Sequence, residues 1–522
     1  MRIRVKGVAA VAACLLAVVN PAGAAERILT LHVNNAHPQA NDRHPGSETA
    51  PLATLGQALE YVFRSQEGCT EAVIIIHPGS YRESVQRTDG RELRIPLTIA
   101  AADSGAAVFT GADVWDGWRS QPGKPWLIHD WQYRWGLGAI PKAPEKIKQL
   151  IAPPARRREM LFVNGILQRQ ALELHSLAPG SYFVDEEPGL LYLQPPDDVD
   201  VERAVIEVAL RDTLLRLDNF TDLTVRGLVF RAAASPFNGS AVTFAGCHNL
   251  TLESCRFEWN NWRGLKIGTS QLVTVRNCSA NHNGGTGYGI WKVSNLTLSG
   301  CETSYNNWRG ASGGFDIWAV AGAKLMLLHQ ADIIGFKAVG NLTRGLWLDT
   351  DNRDVVVEGA ELKENTHDGL FIEVSQGPVL VRNCRIEANA KYGVRINSSD
   401  RVTLVGDTIG GNALGQIIIQ GAGREISDWE TGEKLQLDVS DLHLQNNTAT
   451  SRASGQPLIE ISVNPLKWNK IKSSLSSDGN RWLHPDAGEA FLFPSAFGAK
   501  RAGLDEWRRA TGQDTRSTFN SP

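Results

Sequence analysis

An all-β chain wound as a right-handed parallel β-helix solenoid, with a small β-sandwich domain inserted near its start, is the fold this sequence predicts. Three observations carry the prediction. Gly345, Gly369 and Gly393 stand 24 residues apart, and each opens the same unit: Gly-apolar-x-apolar, a polar turn, an alternating apolar pair and then an Asn. A second set of columns repeats at 23 or 24 residues, with apolar pairs at Leu250 and Leu252, Val273 and Val275, Leu296 and Leu298, Val355 and Val357, Val379 and Val381, and Val402 and Leu404. The third observation is length. At 522 residues the chain exceeds what one ordinary core holds, and a repeat that buries each unit against the next resolves that difficulty.

Taken in order, residues 1–25 read as a secretory signal. Arg2, Arg4 and Lys6 precede an apolar run from Val8 to Val19, and Ala22-Gly23-Ala24 supplies the small residues of a cleavage site at Ala24 or Ala25. A lipoprotein box ending at Cys14 is the rival reading, with only a very short apolar run before it. No other apolar run reaches spanning length, so the expectation is a secreted or periplasmic protein with no membrane segment.

Residues 26–116 pattern as a cap and the first coils. A Gly/Pro/Asn-rich loop leads into an amphipathic stretch through Arg64, and the β-branched run Ala72 to His77 ends at Pro78-Gly79. A helix belongs there because the open end of stacked strands must be covered. From 117 to 208 the period breaks into short alternating runs around Met160–Gly165, Tyr182–Asp185, Leu190–Leu193 and Ala204–Val208, separated by Asn164-Gly165 and Pro179-Gly180; this is the predicted sandwich.

The main coils occupy 209–474. Five residues after the first member of each apolar pair stand Cys255, Cys278, Cys301, Ala360, Cys384 and Asp407, and five further on Asn260, Asn283, Asn306, Asn365, Asn389 and Asn412. The Asn column predicts a ladder of stacked amides at a turn. The inward Cys column predicts a stack of reduced thiols rather than disulfides, with Cys69 and Cys247 undecided. Residues 310–345 leave the spacing, and Phe336 and Asn341 restore it. The tail, 475–522, loses the period and is expected to hold a short helix at Asp505–Arg509 and an unstructured end.

The chemistry is expected on one outer face. With Leu346 and Leu348 inward, Trp347 and Asp349 point out; one coil later Phe371 and Glu373 do the same. Neighbouring strands lie about 4.7–4.9 Å apart, so Asp349 and Glu373 start from adjacent backbone positions. Carboxyl groups about 5–5.5 Å apart suit a retaining glycosidase, in which one attacks the anomeric carbon and the other is acid and then base. The same spacing puts Trp291 and Trp318 in the Asp349 column, Asp316 beside Trp347 in the other, and Arg395 and Asn397 on the following coil. Aromatic faces beside paired acids fit a saccharide groove, and 15 Trp against 8 Tyr agrees. A net charge of −3 with no basic block gives no support for nucleic acid as a partner.

At these residues the chain resembles the β-helix glycoside hydrolases of families 120 and 141, the first known for retaining β-xylosidases and the second for α-L-fucosidase and xylanase activities. The matching pieces are Gly345–Asp349, Gly369–Ser375, the 160–193 stretch with Phe162-Val-Asn-Gly165 and Pro179-Gly-Ser-Tyr182, and Trp507–Asp514. The resemblance implies Asp349 as nucleophile and Glu373 as acid/base.

Other readings stay open. Asp349, Asp351 and Asp354 crowd one turn and offer a calcium site; with it, Arg395 or Lys324 would be the base of a uronate lyase. Arg395 clamps a substrate carboxylate or pairs with Glu373; the Trp side chains hold a sugar or pack on the insert; Asp316 assists or is a plain exposed acid; His367 reaches the site or is a solvated turn residue. His329 has no assigned role. The coil could also be a non-catalytic glycan-binding protein. No organic cofactor is implied, the expected partner is an oligo- or polysaccharide, and a solenoid with shielded internal edges is expected to be a monomer.

Overall fold

A computed structural model describes residues 27–138, 140, 151–496 and 498–522. The expected leader, its cleavage point and the alternative at Cys14 lie outside the described residues. Among the described residues no helix is long and apolar enough to cross a membrane.

The chain is a right-handed parallel β-helix of three strands per turn. In its middle, Leu346–Asp349, Leu370–Glu373 and Tyr392–Asn397 stack on the first face, and Arg353–Glu358, Val379–Arg382 and Asp400–Val405 on the second. Glu361–Lys363, Arg385–Glu387 and Thr408–Gly410 form the third. Pairing between coils is parallel and in register, Val355 with Val379 and Val379 with Val402. The inward column Leu325, Leu348, Ile372, Ile396 and Ile419 is fully buried. Each such side chain contributes about 1.5–3 kcal/mol on leaving water.

The predicted Asn ladder is present. Asn260, Asn283, Asn306, Asn341, Asn365, Asn389 and Asn412 each donate Nδ2 to the side-chain oxygen of the next ladder residue, ending on Gln416. Every side chain also serves backbone groups: Asn365 donates to Ala338 O at 3.0 Å, and its Oδ1 accepts from Asn341 N at 3.1 Å. Asn365→Ala therefore breaks the ladder in its middle and leaves buried polar groups on two coils without partners. The expected cost is about 2–3 kcal/mol, read as a lower thermal midpoint. The six cysteines of the described residues are all free, Cys69 and Cys247 included. Burial pushes the Cys247 thiol up to about 11 and Cys384 up to about 12, so neither ionises at neutral pH.

The helix Leu55–Ser65 covers the N-terminal end with Leu55, Ala58, Leu59 and Val62 inward. Its first amides are held by Thr54, which accepts from Gln57 N, and by Glu83, which accepts from Leu55 N and Gly56 N. Between the coil strands Ala107–Thr110 and Leu215–Asp218 the chain leaves the helix. It builds two small sheets there, one from Ala112–Val114, Leu161–Val163, Ile166–Leu167 and Ile206–Ala209. The other contains Arg119–Ser120, Leu127–Asp130, Arg169–Gln170, Ser181–Asp185 and Leu190–Gln194. Trp131, Leu161, Val163, Tyr182, Leu193 and Val208 share one apolar cluster between them. The coil then resumes as if uninterrupted, Leu215 pairing with Val85 on one side and Val242 on the other.

Arg309 pins this excursion to the coil. Buried, it donates to Asn261 Oδ1 at 2.8 Å, Gln170 Oε1 at 2.5 Å and Glu159 O at 2.6 Å.

The tail corrects the sequence reading. Leu475–Asp478 and Arg481–Leu483 continue the second and third faces, and Thr518–Asn520, expected to be unstructured, pairs in parallel with Arg481–Leu483. The expected helix is Leu504–Thr511; its Trp507 stacks on Phe491 at 5.0 Å and donates Nε1 to Asp514. Spacing failed there because two helices and a hairpin lengthen the last coils, while the strands still find their partners.

Candidate active site

The two acids lie where alternation puts them. Leu346 pairs with Leu370, Trp347 with Phe371, Leu348 with Ile372 and Asp349 with Glu373. Each acid is the last residue of its strand, and the chain bends at once: Thr350 and Asp351 have φ of +51° and +54°, Val374 +48°. The left-handed region is uncommon for β-branched Thr and Val, and the ladder bonds Thr350 N to Glu373 O and Val374 N to Asn397 O hold it. The bend fixes both carboxylates at the rim of the first face.

Their surroundings differ. Lys324 Nζ lies 2.8 Å from Asp349 Oδ2, and Thr350 Oγ1 donates to Asp349 Oδ1 at 2.8 Å. Glu373 receives Asn397 Nδ2 on Oε1 at 3.3 Å, and its nearest cation is the exposed Arg424 at 3.9 Å. Burial, and next the charge of Asp349, hold the Glu373 carboxyl above the usual carboxylate range. Burial holds the Lys324 ammonium below its ordinary range, against the pull of Asp349.

The raised Glu373 makes a stability prediction. A carboxyl whose folded pKa exceeds its unfolded value costs nothing below about pH 4 and destabilises increasingly as pH rises through the folded value. Glu373→Gln, nearly the same shape without the charge, is expected to raise the thermal midpoint at pH 8 and leave it unchanged at pH 4. Equal shifts at both pH values would remove the charge as the cause.

Sequence spacing misplaced one coil. The column positions beside Trp347 and Asp349 belong to Lys324 and Met326, not to Asp316 and Trp318. Trp291 is in the Asp349 column as expected, paired with Met326. The reason is the long coil: Asn306 and Asn341 are 35 residues apart, against 24 for Asn341 and Asn365. The surplus forms the helix Trp308–Ser312 and a loop over the face, and that loop carries Asp316 and Trp318. Counting back from Asn341 to an inward Leu325 was the available signal for Lys324.

The loop still reaches the site. Trp318 O accepts from Lys324 Nζ at 2.5 Å, while the Trp318 ring meets Phe315 and Phe237 edge-on in the cluster that includes Ile151 and Ala155 of the excursion. Trp318 is thus a packing residue of the wall. Asp316 Oδ2 lies 2.6 Å from His367 Nε2, and Lys391 Nζ donates to His367 Nδ1 at 3.1 Å, which leaves the ring proton on Nε2 facing Asp316. His367 is therefore buried and engaged rather than a solvated turn residue.

Trp347 stacks on Phe371 with centroids 5.3 Å apart, and Lys324 and Arg344 stand 3.6 and 4.7 Å over its ring. Both rings are buried, so neither is an open sugar platform. Trp291 lies across Gly268, where any side chain would strike its indole nitrogen. Arg395 follows Phe371 in register, but it grips Asp368 with Nε at 2.8 Å and Nη2 at 3.0 Å. The expected alternative of an Arg395–Glu373 pair is not formed; buried Asp368, unflagged by any motif, takes both donors. The three acids suggested for calcium also part company. Asp349 goes to Lys324, Asp351 accepts from Gln376 and Trp429 N, and Asp354 is exposed beside Arg353.

On the C-terminal side, Asn397 and Arg424 open into a cavity of about 810 Å³, lined also by Gln420, Glu460, Asn464 and Lys467. Two residues that contact Glu373 thus also line this cavity, whose lining is rich in hydrogen-bonding side chains.

Residues 240–409 match the family model described as "Right handed beta helix region". No curated protein matches the sequence. Among solved structures, the chain is similar to XylC in complex with xylose, at 14% identity over 87% of this chain and 84% of that one, TM-score 0.63. It is also similar to the Azotobacter vinelandii mannuronan C-5 epimerase AlgE6 A-module, at 14% identity over 89% and 95% of the two chains, TM-score 0.53. The AlgE4 A-module of the same organism gives 12% identity over 94% and 100%, TM-score 0.52. These likenesses agree with the coil described above and speak to the fold.

Proposed function

We propose that the chain is an exported retaining glycoside hydrolase in which Asp349 is the nucleophile and Glu373 the acid and then the base. One observation carries the reading: two outward carboxylates on directly paired positions, one held against an ammonium and the other raised by burial and by its neighbour's charge. Environments that separate two carboxyls in this way assign their roles. Glu373, protonated, gives its proton to the leaving glycosidic oxygen while Asp349 attacks the anomeric carbon; Glu373 then takes a proton from the water that releases the sugar. Lys324 holds Asp349 in place before attack. The cavity past Asn397 receives one side of the substrate, with the 313–322 loop and Arg344 closing the other.

The XylC complex makes an aryl β-xyloside the first substrate to offer, beside fucoside, arabinoside, galactoside and uronide. The test is the configuration of the first product, followed by proton magnetic resonance. Retention supports the pair as nucleophile and acid/base; initial inversion would require a water between them and would overturn Asp349 as nucleophile. The second reading, a lyase or epimerase acting on uronates, is favoured by Lys324, a buried amine below its ordinary range. It predicts an unsaturated or epimerised product; Arg395, engaged with Asp368, no longer serves it as a base.

A further inference from the structure

We infer a binding site for a divalent transition-metal ion formed by His329, Asp351 and Asp428, on the far side of the bend that follows Asp349. The three side chains come from three separate segments, are each buried, and bring ligand atoms within 4.8 Å of one another. His329 Nε2 faces Asp351 Oδ2 at 3.8 Å and Asp428 Oδ2 at 4.0 Å. Among the described residues it has no hydrogen-bond partner, although the ring is 2% exposed. These distances are too long for hydrogen bonds. They match two ligands of one ion, because bonds of about 2.0–2.2 Å on each side put neighbouring ligand atoms about 3–4 Å apart.

The other ring nitrogen supports the same orientation. His329 Nδ1 lies between Glu430 Oε2 at 2.7 Å and Arg353 Nη2 at 3.0 Å, so the ring is held from that side while Nε2 faces the two acids. With the proton on Nδ1 and bonded to Glu430, the Nε2 lone pair would turn on the two acids, the arrangement a bound cation requires. The remaining contacts are Gln376 Nε2 to Asp351 Oδ1 at 2.7 Å and to Asp428 Oδ2 at 3.1 Å, and Trp429 N to Asp351 Oδ2 at 2.9 Å. Asp428 Oδ1 also accepts from Glu430 N and Thr431 N. One resident cation is present: Arg353 has Nη1 3.4 Å from Asp428 Oδ2 and Nη2 3.0 Å from His329 Nδ1. Asp351, Asp428 and Glu430 outnumber this guanidinium, a surplus of negative charge that a divalent ion would offset. The imidazole selects zinc, manganese or a similar metal over calcium, which takes oxygen ligands.

The position gives the ion a task. Asp428 begins the tip of the hairpin of Arg424–Ser427 and Lys434–Leu437, a sheet of these two strands alone. An isolated hairpin is marginal in water and needs a tie. Asp351 is the coil's end of that tie, and the hairpin carries Arg424, which faces Glu373. The inference does not depend on the chemistry of the acid pair.

The experiment uses the full chain, stripped with a chelator and dialysed against Zn²⁺, Mn²⁺, Co²⁺ or Ca²⁺, with metal content measured by mass spectrometry. Expected are about one Zn²⁺ or Mn²⁺ per chain and a thermal midpoint raised by about 3 °C or more at saturating metal. His329→Gln and Asp428→Asn, checked for unchanged circular dichroism, lose both. Should the variants not fold, the wild type decides alone: bound Co²⁺ shows the visible absorption of a nitrogen-ligated site. Substoichiometric uptake, equal uptake by the variants, absence of that band, or Ca²⁺ binding as tightly as Zn²⁺ would each overturn the assignment, the last three by showing that the imidazole is no ligand.

Discussion

Asp349→Ala is expected to lose about 10⁴-fold or more in kcat/KM on an aryl glycoside that the wild type cleaves, and azide to restore part of it as a glycosyl azide. The alanine leaves room beside Lys324 for a small anion, and the new product takes the configuration opposite to the substrate's because a single displacement has replaced two. Glu373→Ala is expected to lose about 10²–10⁴-fold, least with leaving groups that need no proton, and to regain rate with azide while keeping the substrate's configuration. The two variants therefore report different roles by stereochemistry, not only by rate. Exchange of the two outcomes would reverse the assignment, and undiminished activity in both would take the pair out of the chemistry. The pH profile follows from the same asymmetry. Activity depends on protonated Glu373, so kcat/KM is expected to fall as pH rises through its raised value, and Glu373→Gln to abolish that limb.

Asp407→Asn is expected to stabilise the protein at pH 8 and not at pH 4. Asp407 stands in the inward column that also holds Cys255, Cys278, Cys301, Ala360 and Cys384, and burial pushes its carboxyl up to about 7. Its Oδ1 accepts from Cys384 N at 2.7 Å, while Oδ2 has no partner among the described residues. Below about pH 4 both folded and unfolded chains carry the protonated acid and the column costs nothing. Between there and pH 7 the unfolded chain ionises and the folded one resists. Three pH units at about 1.4 kcal/mol each give a penalty on the order of 4 kcal/mol above pH 7. Asn continues the column that follows, since Asp407 N already donates to Asn447 Oδ1 and Asn447 N to Asn480 Oδ1. Thermal midpoints of both proteins at pH 4 and pH 8 check this; a difference independent of pH would mean that the ionised form carries no such cost.

The legible part of this protein is what repeats. Asp349 and Glu373 could be paired from sequence because both follow a Gly by the same number of residues and alternation turns both outward. The Asn ladder and the thiol column were legible for the same reason. Lys324 was harder to place, because the 35-residue coil breaks a forward count and only counting back from Asn341 reaches it. The Asp368 grip on Arg395 was hidden in a turn that looked solvated. The cluster of His329, Asp351 and Asp428 joins residues far apart in the chain, at separations that follow no period, through a hairpin that belongs to no repeat.

What the sequence determined by itself is the coil and the face on which the acids stand, because the period of the strands and the spacing of the turns are local properties that stacking then propagates. The tertiary structure alone decided what each acid meets. A carboxylate's partners lie on loops that leave the coil, and how such a loop folds back depends on the whole surface it lands on. Hence one sequence pattern yields two equivalent carboxylates, and only the folded chain makes one an ion-paired Asp349 and the other a half-buried Glu373 whose carboxyl is shifted above the usual range.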